Sequence, residues 1–137
     1  MREVEVSRFV RATPAEVARA LTPATVVEHE GSFAVVDVDE RTDGSTVVTA
    51  GSRGLELALR FEERDGGLYY TQEGDAGPFD AMETWLTVHA KDDGSRVTMR
   101  SAVSLGLPLP GLTDRIAAWK RKGELQRALD ALAADLG

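Results

Sequence analysis

The stretch TDRIAAWKRKGELQRALDALAADL, residues 113–136, is the longest regular segment of the chain, and its reading decides the fold. From Ile116 onward it lacks proline and consists mostly of strong helix formers, among them Ala117, Ala118, Glu124, Leu125, Gln126, Ala128, Leu129 and Leu132. The pattern predicts one long helix. At about 1.5 Å per residue it reaches roughly 35 Å, about the width of seven strands spaced ~4.8 Å apart.

The remainder of the chain supplies those strands. Val4, Val6 and Val10 alternate with Glu3, Glu5, Ser7 and Phe9, so residues 3–11 read as a strand with one apolar face, on whose parity Arg8 also falls. Thr13-Pro14-Ala15-Glu16 then starts a helix, with Thr as N-cap, Pro in the first turn and Glu placed to reach back to the cap. Thr22-Pro23 repeats the start and predicts a second short helix from Ala24 to about Glu28. From Ser32 the period changes to alternation, punctuated by the turn pairs Asp43-Gly44, Asp65-Gly66 and Asp93-Gly94, whose residues tolerate the positive φ of tight hairpins. Gly51-Ser52-Arg53-Gly54 and the stretch 74–78 supply two further links. Strands are expected near residues 31–40, 45–51, 55–64, 67–73, 81–91 and 95–105.

Each strand has one apolar face. Leu55, Leu57, Leu59 and Phe61 share a side against Glu56, Arg60 and Glu62; Met82, Thr84, Leu86 and Val88 do so in the sixth strand, and Val97, Met99, Ser101, Val103 and Leu105 in the seventh. Antiparallel sheets wet on one side have this pattern. The long helix, reached through the linker of residues 106–111, is the one segment large enough to cover the other side.

The expected fold is therefore α+β: a seven-stranded antiparallel sheet in the order β-α-α-β6-α, wrapped around a long C-terminal helix, with residues 1–137 forming a single domain. In this order and length the chain resembles the START-like, or SRPBCC, helix-grip superfamily, which includes polyketide cyclases and dehydrases, the birch-pollen allergen group and lipid-transfer domains. The segments most like the family are Phe9-Val10 with Thr13-Pro14-Ala15-Glu16-Val17, Trp85-Leu86-Thr87-Val88 leading into Gly94-Ser95-Arg96-Val97-Thr98, and the terminal leucines 125, 129, 132 and 136. The resemblance implies an apolar ligand held between helix and curved sheet, with a few polar groups in that space where a member is catalytic.

Composition narrows the partners. The net charge of −7 and the lack of a basic stripe argue against nucleic acid. Thirteen Arg against three Lys, beside 23 acids, fits either a GC-rich genome or a high-salt habitat in which an acidic surface keeps the protein in solution. The chain has no Cys, which excludes disulfides, thiolate zinc sites and a cysteine nucleophile. No apolar run approaches a membrane span and the first ten residues are alternating and charged, so a cytoplasmic location without integral membrane association is expected. GxSxG, GxGxxG, P-loop and HExxH motifs are missing and the two His lie far apart, so neither a metal nor a cofactor is expected. Oligomeric state is left open.

Candidate site residues are polar groups on the inward parity: Arg8, Tyr70, Gln72, Thr84 and Ser101. Burying such groups without partners costs on the order of 1–3 kcal/mol, so either a polar-lined cavity receives them or some lie at the wet margins of the sheet. A one-residue register change would bring Tyr69, Thr71 and Glu73 inward in place of Tyr70 and Gln72. His29, between Glu28 and Glu30, is either a general base or a surface histidine. In the helix, Leu125, Leu129, Leu132 and Leu136 share one face, while Ile116, Trp119 and Gly123 fall on nearly the opposite side. Either the half near the linker roofs a cavity at Ala118 and Arg121, or a kink at Gly123 turns Ile116 and Trp119 inward.

The expected occupant is a hydrophobic small molecule or lipid, held by Leu57, Leu59, Phe61, Tyr70, Gln72, Met82, Thr84, Leu86, Met99, Ala118 and Arg121. The resemblance alone implies an alternative, a cyclase or dehydrase acting on a polyketide-like or aromatic substrate, with Arg8, His29 or Tyr70 as acid/base or oxyanion partners. A third reading is a protein-interaction module presenting Trp85 and the apolar linker of residues 105–112.

Overall fold

The computed structural model describes residues 2–74 and 79–136. Its elements are β1 (Arg2–Val10), α1 (Pro14–Ala20), α2 (Pro23–Glu30), β2 (Ala34–Glu40), β3 (Thr46–Ser52), β4 (Leu55–Arg64), β5 (Gly67–Glu73), β6 (Ala81–Lys91), β7 (Gly94–Ser104) and α3 (Pro110–Leu136). The strands form one sheet in the order β1-β7-β6-β5-β4-β3-β2, antiparallel throughout. The fold is the expected α+β helix grip, a sheet with two short helices after β1 and the long α3 packed on it. Of the link expected at residues 74–78, positions 75–78 lie outside the described residues.

Local chemistry explains most boundaries. The Glu16 N–H donates to Thr13 Oγ1 at 3.2 Å and the Thr13 N–H to Glu16 Oε1 at 3.1 Å, completing a capping box at the start of α1. Asp65 and Gly66 both adopt positive φ, 50° and 79°, in the two-residue turn that pairs Arg64 with Gly67. One turn sits a residue earlier than expected: Lys91 pairs with Gly94, so Asp92 and Asp93 form the loop, with Asp92 at φ 51°. Gly94 belongs to β7, where a Cβ would lie 2.4 Å from the Val10 carbonyl oxygen, so close strand approach rather than turn geometry requires the glycine.

Two helix ends differ from expectation with consequences for the site. Helix α2 runs on to Glu30, because Gly31 takes φ 83° and the Arg127 Nε–H caps the Glu30 carbonyl at 3.0 Å from across the molecule. Helix α3 begins at Pro110, ahead of the expected start at Thr113. It packs most closely on β1, β7 and α2 rather than evenly across the sheet.

The buried side of α3 is continuous: Asp114, Ala117, Ala118, Arg121, Glu124, Leu125, Ala128, Leu129 and Leu132 recur at helical spacing. Ile116 and Trp119 face solvent, 58 % and 77 % exposed. The helix is uninterrupted through Gly123, so the stripe keeps its face and changes its chemistry, from charged and small to leucine. Leu125, Leu129 and Leu132 meet Leu57, Leu59, Phe61, Leu86, Met99 and Val103 in one core.

Gly123 has an ordinary helical φ, and a Cβ there would meet only Arg127 Nη1, at 3.7 Å. Gly123→Ala is expected to raise stability by about 0.5–1 kcal/mol through helix propensity. Urea denaturation checks this, and a destabilised variant would show that the helix needs its glycine.

Candidate functional site

Antiparallel register brings one row of inward side chains into line across four strands: Phe61 of β4 opposes Tyr70 of β5, Tyr70 opposes Thr84 of β6, and Thr84 opposes Ser101 of β7. Tyr70, Thr84 and Ser101 have no exposed surface. Phe61 stacks on Tyr70 with ring centroids 4.3 Å apart, which fixes the direction of the phenol.

Arg121 of α3, 3 % exposed, lies over this row. Its Nε–H donates to Ser101 Oγ at 3.1 Å; Nη2 donates to Thr84 Oγ1 at 2.8 Å and to the Tyr70 hydroxyl. Nη1 donates to Glu30 Oε1 at 2.6 Å and to Glu124 Oε1 at 3.2 Å. Tyr70 in turn donates its proton to Glu30 Oε2. A guanidinium has five N–H groups, and these five partners account for them all. One buried cation therefore stands against two buried carboxylates.

Burial pushes the Tyr70 phenol well above its ordinary value of 10.0; the Arg121 charge opposes the rise and Glu30 adds to it. Burial by itself would lower the Arg121 guanidinium, but Glu30, then Tyr70 and Glu124, outweigh it and hold the group well above its usual value. Arg121 stays charged.

Beside this network a cavity of about 270 Å³ opens at the linker end of α3. Phe33, Leu55, Phe79 and Leu105 form its apolar walls, Ile116, Ala117 and Lys120 belong to its helical side, and Arg121 and Glu124 also line it. The Gln72 amide donates to the Phe79 carbonyl at 2.9 Å, tying down one of those walls.

The residues expected at the site are dispersed in part. Tyr70, Thr84 and Arg121 meet in the network, and of these Arg121 lines the cavity. Ala118 is buried but is not among the residues lining the cavity, and Gln72 acts on the cavity through Phe79. Leu57, Leu59, Phe61, Met82, Leu86 and Met99 are core side chains and are not among those lining this cavity. Arg8 stays outside: β1 is an edge strand, and the side chain, about half exposed, pairs with Asp130 at 2.5 Å. His29 Nε2 pairs with Asp135 Oδ2 at 3.1 Å, near the far end of α3, and makes no bond to the network's side chains among the described residues. Trp85 is half-buried on the outer face beneath Arg100 and beside Tyr69, whereas Leu107, Leu109 and Leu112 are exposed. Among the described residues no three His, Asp or Glu side chains gather as metal ligands. No helix among them is long and apolar enough to cross a membrane.

Sequence reasoning passed over Glu30 and Glu124. Glu124 had a readable signal, since it lies one turn after Arg121 on the same helical face. Glu30 had none, because the contact that extends α2 to it comes from Arg127, 97 residues away.

Over residues 1–137 the chain matches the family described as polyketide cyclase/dehydrase and lipid transport. It belongs to that family. No curated protein matches the chain by sequence. Among solved structures, a protein from Thermobifida fusca is similar with a TM-score of 0.76 at 21% identity, covering 100% of this chain and 94% of its own. The ZhuI aromatase/cyclase of a Streptomyces species gives 0.75 at 16%, covering 98% and 93%. A START superfamily protein from Mycobacterium smegmatis gives 0.73 at 13%, covering 98% and 99%. At such identities the likeness is one of fold, and function rests on the site.

Two outcomes follow from the network. Arg121→Met, which leaves Glu30 and Glu124 buried without their cation, is expected to cost about 3–5 kcal/mol in denaturant unfolding. Tyr70 is held neutral in the folded protein, so its contribution is complete below the ordinary tyrosine value of 10.0 and is lost as pH rises above it. Tyr70→Phe is expected to flatten the fall in stability above pH 10.0 without abolishing it, because burial also raises Tyr69, to about 12. Unfolding free energies measured across that alkaline range check this.

Proposed function

We propose that the protein binds a hydrophobic small molecule or lipid in the cavity between the linker end of α3 and the sheet. The observation that carries this reading is the set of apolar walls, Phe33, Leu55, Phe79 and Leu105, converging on a polar end at Arg121 and Glu124. Ligand sites are concave and mostly apolar, with few oriented polar groups. The volume of about 270 Å³ is just below the roughly 300–1,000 Å³ usual for such sites, so the ligand is compact or extends through the mouth. The family description, which names lipid transport, supports the same reading.

A second reading is a cyclase or dehydrase acting on a polyketide-like or aromatic substrate. It is favoured by one observation, that three ionisable groups, Lys120, Arg121 and Glu124, line the same cavity. Against it, every N–H of Arg121 already has a partner inside the protein, leaving Glu124 and the exposed Lys120 as the lining groups able to exchange a proton with a substrate.

The neutral fluorophore N-phenyl-1-naphthylamine is expected to bind saturably at one site per chain, and Ala117→Phe, which fills the cavity, to abolish the signal while circular dichroism is retained. No saturable binding, or equal binding by the filled variant, would remove the cavity from consideration. An aromatic polyketide returned cyclised or dehydrated, in a manner lost in Glu124→Gln, would favour the enzyme.

A further inference from the structure

We infer that the cavity selects apolar molecules carrying a hydrogen-bond donor, such as an alcohol, a phenol or an amine, and discriminates against carboxylates and phosphates. This rests on the proposed binding role and specifies its ligand class.

The inference comes from counting donors and acceptors at the polar end. An arginine in an apolar pocket ordinarily marks an anion site. Here the guanidinium is saturated: Nε is taken by Ser101, Nη1 by Glu30 and Glu124, and Nη2 by Tyr70 and Thr84. Nothing remains to donate to an incoming anion. Glu124 is in the opposite condition. It is 6 % exposed and lines the cavity, its Oε1 accepts from Arg121 at 3.2 Å, and among the described residues no donor meets its Oε2.

The local charge points the same way. Glu30 and Glu124 flank one guanidinium, so the buried cluster carries an excess of one negative charge when both are ionised. A carboxylate or phosphate head would add to that excess, whereas a hydroxyl or ammonium donates to Glu124 Oε2, an acceptor that no donor of the described residues meets. Lys120 also borders the cavity, but it is exposed, where water screens its charge.

Competition against N-phenyl-1-naphthylamine at pH 7 by 1-octanol, octylamine and octanoic acid tests this at constant chain length. Octylamine and octanol are expected to displace the fluorophore at least tenfold more effectively than octanoate. In Glu124→Gln, which keeps an acceptor and loses the charge, the preference for amine over alcohol is expected to fall about tenfold, with octanol changed less than threefold. Octanoate competing as well as octanol in the unmodified protein would overturn the inference. Equal competition by all three, or an order unchanged in Glu124→Gln, overturns it while leaving the cavity as a binding site. If the fluorophore itself does not bind, the cavity reading fails and this inference with it. The comparison in the unmodified protein stands even if Glu124→Gln folds poorly.

Discussion

The guanidinium of Arg121 joins three parts of the fold: the end of α2 through Glu30, the middle of the sheet through Tyr70, Thr84 and Ser101, and its own helix through Glu124, while Tyr70 links the sheet to Glu30 directly. Burying a charge is costly, and a buried ion pair contributes little net stability over a well-packed apolar substitute. What the network contributes is geometry. Each partner is directional, so helix, sheet and α2 can satisfy the same guanidinium in only one relative arrangement.

That arrangement depends on strand register. Tyr70, Thr84 and Ser101 lie side by side because β5, β6 and β7 pair in one alignment. A slip of one residue would send all three hydroxyls to the wet face and bring Tyr69, Trp85 and Arg100 inward. The apolar neighbours Phe61, Leu86 and Met99 resist the same slip, so core packing and the polar network specify one register together. The network also takes up the space over β5 and β6 that α3, packed closest to β1 and β7, does not fill with backbone. The cavity lies where that filling ends, at the linker.

Much of the fold was legible because its signals are local. The capping box at Thr13, the Asp65-Gly66 turn and the alternation of Leu57, Leu59 and Phe61 need only a few neighbouring residues to be recognised. The site was legible in fragments. Tyr70 and Thr84 stood out as polar groups on an apolar parity, and Arg121 as a cation on the flank of a leucine stripe. The large aliphatics of the sheet, Leu57, Leu59, Leu86 and Met99, lie in the buried core cluster and outside the lining of the cavity at the linker, since periodicity reports which face is inward and is silent on how the inward space is filled. Arg8 shows the same limit: its parity is inward, but β1 is an edge strand and its side chain reaches Asp130 at the rim.

By itself the sequence determined the order of elements, the inward face of most strands and the helix that covers them, because each of these follows from a period of two or 3.6 residues and from turn and cap chemistry. Tertiary structure alone decided that Glu30 is drawn inside, that Ile116 and Trp119 stay in water while the helix runs on unbroken, and that Arg121 is saturated while Glu124 is left with an open oxygen. Those outcomes depend on contacts between residues up to 97 positions apart, and no local pattern encodes which partner a buried donor will find.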